Sequence, residues 1–249
     1  MSTQPIDITA PISTSRGTPK SDNFTLLLCT WSGPVATVLA LLGMVILSGF
    51  IPATSPAASG REIADFYLNN LYGIRFGQVI AMIAFTLLVP FGIAVAMQTR
   101  RIEDNPVLTY VQIASVAVSS LEGIMSNCMW LTASFRPDDI DPNITRALHD
   151  LGWISFLVDV PIFSVWVGVI GIAILRDRHA TPLFARWIGF FNLWCAIFFL
   201  PALLIPFFKT GPFAYNGLLA LYLPFGAFFT WIVVMTPAVL KAIGTQRNP

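Results

Sequence analysis

Charge is what this sequence has least of. Of its 249 residues only 11% are charged while 55% are hydrophobic, against roughly 25% charged in ordinary soluble domains. Such a chain belongs in a membrane. Its 14 Lys and Arg residues stand in ones and twos and the net charge is +1, so there is no basic surface of the kind that binds nucleic acid, and that partner is excluded. Cysteine is scarce: Cys29, Cys128 and Cys195 each lie in an apolar segment without CxxC spacing, which argues against a disulfide framework or a zinc site. Two histidines, His149 and His179, are too few for haem or copper sites that need several imidazoles. No GxSxG, HExxH, P-loop or dinucleotide fingerprint falls on a suitable element, so nothing points to hydrolysis at a serine, zinc or ATP, and no metal or cofactor is expected. An internal repeat of the kind found in inverted-repeat transporters is also missing.

What the sequence has is long hydrophobic runs. Six of them, over residues 25–51, 72–98, 107–133, 148–175, 184–208 and 214–243, exceed the roughly 20 residues needed to cross a core of about 30 Å. The expected fold is an all-α, polytopic integral membrane helix bundle with six transmembrane helices. Residues 1–24, rich in Ser, Thr and Pro, read as a disordered tail, and 244–249 as a short second tail. The first run is longer than the roughly 7 to 15 residues of a signal-peptide core and is taken as a retained span. After it, Ser59 and Glu62 make a capping box for a short helix whose Ile63, Phe66, Tyr67 and Leu71 face opposite Arg61, Glu62 and Asp65, as in a helix lying along the interface. Pro90 predicts a kink in the second span. Asn105-Pro106, Asp141-Pro142 and Thr181-Pro182 read as start signals, a capping side chain followed by proline at the first helical position, for spans three, four and five. Six spans place both termini on one side. Nine Arg and Lys residues fall on that side and five on the other, which by the positive-inside rule makes both termini cytoplasmic.

Span three carries the residue that most needs explaining. Gln112, Ser115, Ser119, Glu122 and Ser126 recur at alternating steps of three and four, so one helix face is polar and must look away from lipid. Span four carries a second acid, Asp159, with Gly152 and Ser155 on its face. At 1.5 Å per residue both acids lie roughly 15 to 20 Å below the outer ends of their helices, and the short connection makes the two spans neighbours. Two carboxyls meeting there can hold one proton between them, the chemistry of a proton-coupled carrier or of a general acid acting on an apolar substrate. A plainer account stands beside this one: Asp159 precedes Pro161 by two residues and can satisfy backbone groups freed at a kink, while Glu122 can serve as a helix-packing hydrogen bonder. Asn127, like Asp150 or a lipid headgroup, is nearer in depth to Arg75 than Glu122 is, and is also a pocket candidate. Trp166, Asn192 and Tyr222, mid-span, are candidates to line an apolar pocket together with Gln112, Ser119, Ser126 and Ser155. Arg75, in the first turn of span two and too shallow by about 10 Å to neutralise Glu122, and His149 with Asp150 at the outer mouth of span four, are candidates for gating or proton entry.

Ala147-Leu148-His149-Asp150-Leu151-Gly152 and, after a short basic loop, Thr181-Pro182-Leu183-Phe184-Ala185-Arg186-Trp187-Ile188-Gly189 resemble an uncharacterised family of six-span bacterial membrane proteins classed as a domain of unknown function. The general plan matches over spans two to five. The resemblance implies six helices and a bacterial inner membrane, and supplies no activity; Glu122 and Asp159 are not marks of that family.

Three functions compete. The first is binding and movement of a small, mostly apolar molecule within the bundle, with Glu122 and Asp159 as the protonatable pair. The second is an enzyme working inside the bilayer, such as a cyclase or isomerase of a terpenoid or other lipid, using the same acids. The third is an accessory subunit of a homo-oligomer or of a partner membrane protein, whose acids serve helix pairing alone.

Overall fold

The computed structural model describes residues 19–245, with side chains from Asn23 onward; the tails expected over 1–24 and 244–249 lie mostly outside those residues. Among the described residues every regular element is helical. Helix α1 (Pro19–Ala40) runs on through a wider π-type stretch, Leu41–Leu47. The short α2 (Gly60–Asn69) leads into α3 (Leu71–Thr99) and α4 (Val107–Phe135). A broken rod follows, α5 (Pro142–Val158) and α6 (Val160–Leu175). Helix α7 (Arg186–Phe199) tightens into a 3₁₀ stretch, Leu200–Phe207, and α8 (Leu223–Gly244) is preceded by a second π-type stretch, Leu218–Tyr222. Taken as continuous stretches these include six helices of 22 to 34 residues, long and apolar enough to cross a membrane.

The distribution of side chains is the inverse of a water-soluble protein. Gln78, Gln98, Gln112, Asn127 and Asn192 are fully buried, while Phe76, Ile83, Leu121 and Val233 stand on the outside. Water would reward the opposite arrangement; lipid rewards this one, because an unpartnered amide in hydrocarbon costs several kcal/mol. The fold therefore fits a multi-pass integral membrane protein. The polar face expected on α4 does turn inward, with Gln112, Ser115, Ser119 and Ser126 all buried.

Helix α3 packs along both α1 and α4, α6 along α7, and α8 closes the bundle against α1. Small residues set the closest of these approaches: a Cβ placed on Gly43 would collide with the Gly77 carbonyl, so the first span and α3 meet backbone to backbone. Around that crossing Gln78 Nε2 donates to Ser48 Oγ at 3.0 Å and Asn70 Nδ2 to the Leu47 carbonyl at 2.8 Å. Helix α3 continues through Pro90 without interruption.

Several boundaries follow the local chemistry read above. Ser59 and Glu62 form the capping box, with the Ser59 amide donating to Glu62 Oε2 at 2.7 Å, and Asp141 caps α5 through the Asn143 amide at 2.7 Å with Pro142 in the first turn. Other boundaries differ. The first helix begins at Pro19, not at 25. Asn105 does not cap α4; the Glu103 carboxylate reaches over instead and accepts from the Thr109 amide and hydroxyl at 3.2 and 2.9 Å. Thr181-Pro182 opens no helix, since α7 begins at Arg186. There Asp177 organises the loop, accepting from the Leu183 amide at 2.8 Å and from the His179 amide and ring Nδ1 at 3.0 and 2.7 Å. At Asn105 a single oxygen of Glu103 takes the place of the cap, while at Thr181 both oxygens of Asp177 hold the loop.

Candidate functional site

The break between α5 and α6 places the first acid. Pro161 has no amide hydrogen to continue the helical ladder, so the rod interrupts at Asp159, which ends α5 and begins α6 with φ −70° and ψ −4°. The Asp159 side chain makes no capping bond to α6. Beyond its own amide, its partner is the Glu122 side chain of α4, within hydrogen-bonding reach. The two acids therefore do meet, and Asp159 is not spent on the carbonyls of a kink. Two carboxylates at that separation repel; one proton between them turns the contact into a hydrogen bond. The second Glu122 oxygen, Oε2, is buried and has no partner.

Asp159 forms part of the wall of a cavity of about 100 Å³. The volume suffices for a small organic group, since one water needs only about 10 to 15 Å³ on the same measure. Its other polar wall is Ser119, whose Oγ is likewise buried and unpartnered. The remainder is apolar, aliphatic side chains, Met44 and Gly123 together with seven phenylalanines, Phe85, Phe156, Phe163, Phe199, Phe225, Phe228 and Phe229.

Ring layers bound this cavity along the bundle axis. On the side of the 48–59 loop, Trp130, Trp153, Phe50 and Phe156 interlock, with Trp130 to Trp153 at 5.1 Å, Phe50 to Trp130 at 5.0 Å and Trp130 to Phe156 at 5.6 Å between ring centres. On the opposite side Phe163, Trp166, Trp231 and Phe91 do the same, at 5.1, 5.0 and 5.7 Å along the series. Trp153 precedes Asp159 by six residues and Trp166 follows it by seven, so the two layers sit about 10 Å to either side at 1.5 Å per residue.

His149 belongs to the first layer. It is 1% exposed, and the indole Nε1 of Trp153 donates to its Nε2 at 3.1 Å while Thr54 Oγ1 stands 2.7 Å from the same nitrogen. An indole can only donate, so Nε2 carries a lone pair and the ring proton is on Nδ1, pointed at Tyr67 Oη 3.0 Å away. The imidazole is neutral with both nitrogens engaged. Trp130 Nε1 donates to the His149 carbonyl at 3.2 Å, and Tyr215 stacks on Trp153 and donates to Asp150 Oδ1 at 3.2 Å. Burial pushes the Tyr67 hydroxyl well above its ordinary range, with Tyr215 and Asp150 adding to it, so it stays a neutral acceptor for the imidazole.

This geometry corrects several expectations. His149 is buried in the ring layer rather than open at the outer mouth, and Asp150 is engaged with Tyr215 beside it. Arg75 does not reach the acids; its guanidinium donates to the Ser134 carbonyl at 3.1 and 2.7 Å and to Phe135 at 3.0 Å, closing the end of α4. Of the residues expected to line a pocket only Ser119 does. Gln112 is paired with Thr99 at 3.1 Å, Ser126 bonds back to the Glu122 carbonyl at 3.0 Å, and Asn127 to the Gly123 carbonyl at 2.6 Å. Trp166 and Asn192 are buried in the core and Tyr222 is exposed; these and Ser155 lie outside the cavity lining. The phenylalanine lining went unread, although Phe156 and Phe163, three before and four after Asp159, share its helical face. Among the described residues no cluster of three or more His, Cys, Asp or Glu could hold a metal ion.

No family model, curated protein or solved structure matches this chain. The functional reading therefore rests on the cavity and its acids.

Proposed function

We propose that this protein binds a small, mostly apolar molecule inside the bundle and moves it with proton exchange at Glu122 and Asp159. The observation that carries the reading is the coincidence of an apolar-walled cavity with the place where, among the described residues, two intramembrane carboxyls meet. Ionisable groups at such depth are costly and are retained where they work. In this reading the rings hold the ligand, Ser119 orients it, and the acid pair takes up or gives up a proton as the cavity fills. Release to one side needs one ring layer to part. Both termini are cytoplasmic in this scheme, in keeping with the basic-residue balance.

The test uses proteoliposomes with an entrapped pH indicator and radiolabelled toluene, benzyl alcohol and geraniol as probes. Wild type should take up at least one of them with a matching pH change. Glu122→Gln and Asp159→Asn should each abolish the coupling, and full coupled uptake in both would reject the proposal.

One observation favours a second reading. Seven phenylalanines around a carboxyl also suit an intramembrane general acid whose carbocation product is stabilised by ring faces. Turnover of an isoprenoid epoxide by purified protein in detergent, with no gradient, would favour that enzyme over a carrier.

A further inference from the structure

The cavity's charge balance narrows the ligand class. One acid, Asp159, lines it with Glu122 behind, and among the described residues no basic side chain lines it. Arg75 is committed to the Ser134 and Phe135 carbonyls, and among the described residues the ion pair present is the remote one between His179 and Asp177. A purely neutral hydrocarbon would gain nothing from carboxyls in its site, which would then be a desolvation cost without return. Seven phenylalanines share the rest of the lining with aliphatic side chains, and ring faces attract positive charge through their quadrupole. Two polar atoms are left over, Glu122 Oε2 and Ser119 Oγ, both buried and unpartnered; Ser119 is 4% exposed and in the wall itself.

The way in is equally constrained. Ring layers block the axis on both sides, whereas the flank between the first and last spans is walled by Leu41 and Val45 on one side and Phe225 and Phe229 on the other, and Leu41 is 39% exposed. The first span is π-type there, over Leu41–Leu47, and a second π-type stretch, Leu218–Tyr222, ends just before the last span's wall residues, a distortion that often accompanies function.

We infer that the ligand is a lipophilic organic cation, a quaternary ammonium or protonated amine, that enters sideways from the bilayer between the first and last spans and replaces the proton held by Glu122 and Asp159. The inference rests on the binding reading above and specifies its substrate class. One monovalent cation in and one proton out leaves the charge of the site unchanged, so the exchange adds no uncompensated charge to the bilayer interior. No other titratable group faces the pair from the cavity walls contributed by α1, α3, α6 or α8; His149 and Asp150 face the ring layer and Tyr215.

The experiment compares two molecules of one shape, benzyltrimethylammonium and neopentylbenzene, by calorimetry on protein in nanodiscs with empty discs subtracted. The cation should bind about tenfold or more tighter than its carbon isostere. The heat should vary with the ionisation enthalpy of the buffer, reporting release of one proton. Asp159→Asn and Glu122→Gln should remove the preference while neopentylbenzene still binds. Phe228→Leu, which keeps both acids but removes one ring face, should weaken the cation severalfold more than it weakens the isostere. Binding of neopentylbenzene alone, or of both equally without proton release, would overturn the cation inference and leave the apolar-binding reading standing. Failure of both molecules to bind would remove that reading as well.

Discussion

Asn192→Leu tests the pin that holds the lower ring layer. Trp231 Nε1 donates to Asn192 Oδ1 at 2.8 Å, joining α7 to α8, and both residues are 0% exposed. Leucine has the branching of asparagine but is larger, so the change removes the acceptor without opening a cavity, and any crowding adds to the loss from the bond. The stranded indole N–H then costs about 1 to 3 kcal/mol by the general figure for a buried unsatisfied donor, while hydrogen bonds in membrane bundles average about 0.6 and reach about 1.7 kcal/mol. The expected loss is therefore about 1 to 1.7 kcal/mol. Trp231→Phe should cost a similar amount through the stranded Asn192 oxygen, plus the trimmed contacts with Trp166 at 5.0 Å and Phe91 at 5.7 Å. In the double variant neither polar atom is stranded by the other, so its loss should fall short of the sum of the singles by about 1 kcal/mol. The assay is reversible unfolding titrated with SDS and followed by far-ultraviolet circular dichroism. Strict additivity of the two substitutions would refute the claim that this bond fastens α7 to α8.

Other consequences are testable with the same preparation. Gly152→Ala would put a methyl 2.6 Å from Trp130 Cδ1 in a layer with no room to give, and should destabilise by about 1 to 3 kcal/mol, as overpacking does; an unchanged midpoint would mean the upper layer is loosely packed. Tyr67→Phe removes the acceptor of the His149 Nδ1 proton and should cost about 1 to 3 kcal/mol, with the near-ultraviolet circular dichroism of Trp153 altered; no change in either would contradict the assigned tautomer. The Ser59 amide and hydroxyl hold the Glu62 carboxyl below its usual range of 4.5. A depressed acid stabilises above its unfolded value and loses that contribution as pH falls through its folded one. A spin label on the exposed face of α2 should therefore become more mobile only as pH falls below the ordinary glutamate range, and Ser59→Ala should show that mobility already at neutral pH.

Much of this was readable along the chain. Span lengths, the Ser59 and Asp141 caps and the inward turn of the α4 polar face depend on hydropathy, on period and on neighbours within four residues, which are local properties. The common depth of Glu122 and Asp159 was readable for the same reason, because rise per residue is constant. Where two cap signals competed, as at Asn105 and Thr181, the loop carboxylates Glu103 and Asp177 prevailed, and their reach of six residues depends on how the loop folds. A mid-span tryptophan or asparagine looks alike on paper whether it faces a pocket or a neighbouring helix; Trp166 and Asn192 proved to be core because Trp231, from a span late in the chain, packs on one and bonds to the other.

The chain by itself determined that six apolar helices form, that each polar face must turn from lipid, and that two acids share a level, since solvent preference and helical geometry act residue by residue. Only the tertiary structure decided that those acids meet, that residues near 41–45 and 224–229 close one cavity around Asp159, and that rings seal His149 away from water. These depend on the rotation of each helix about its own axis, which is set by the packing of partners far apart in sequence.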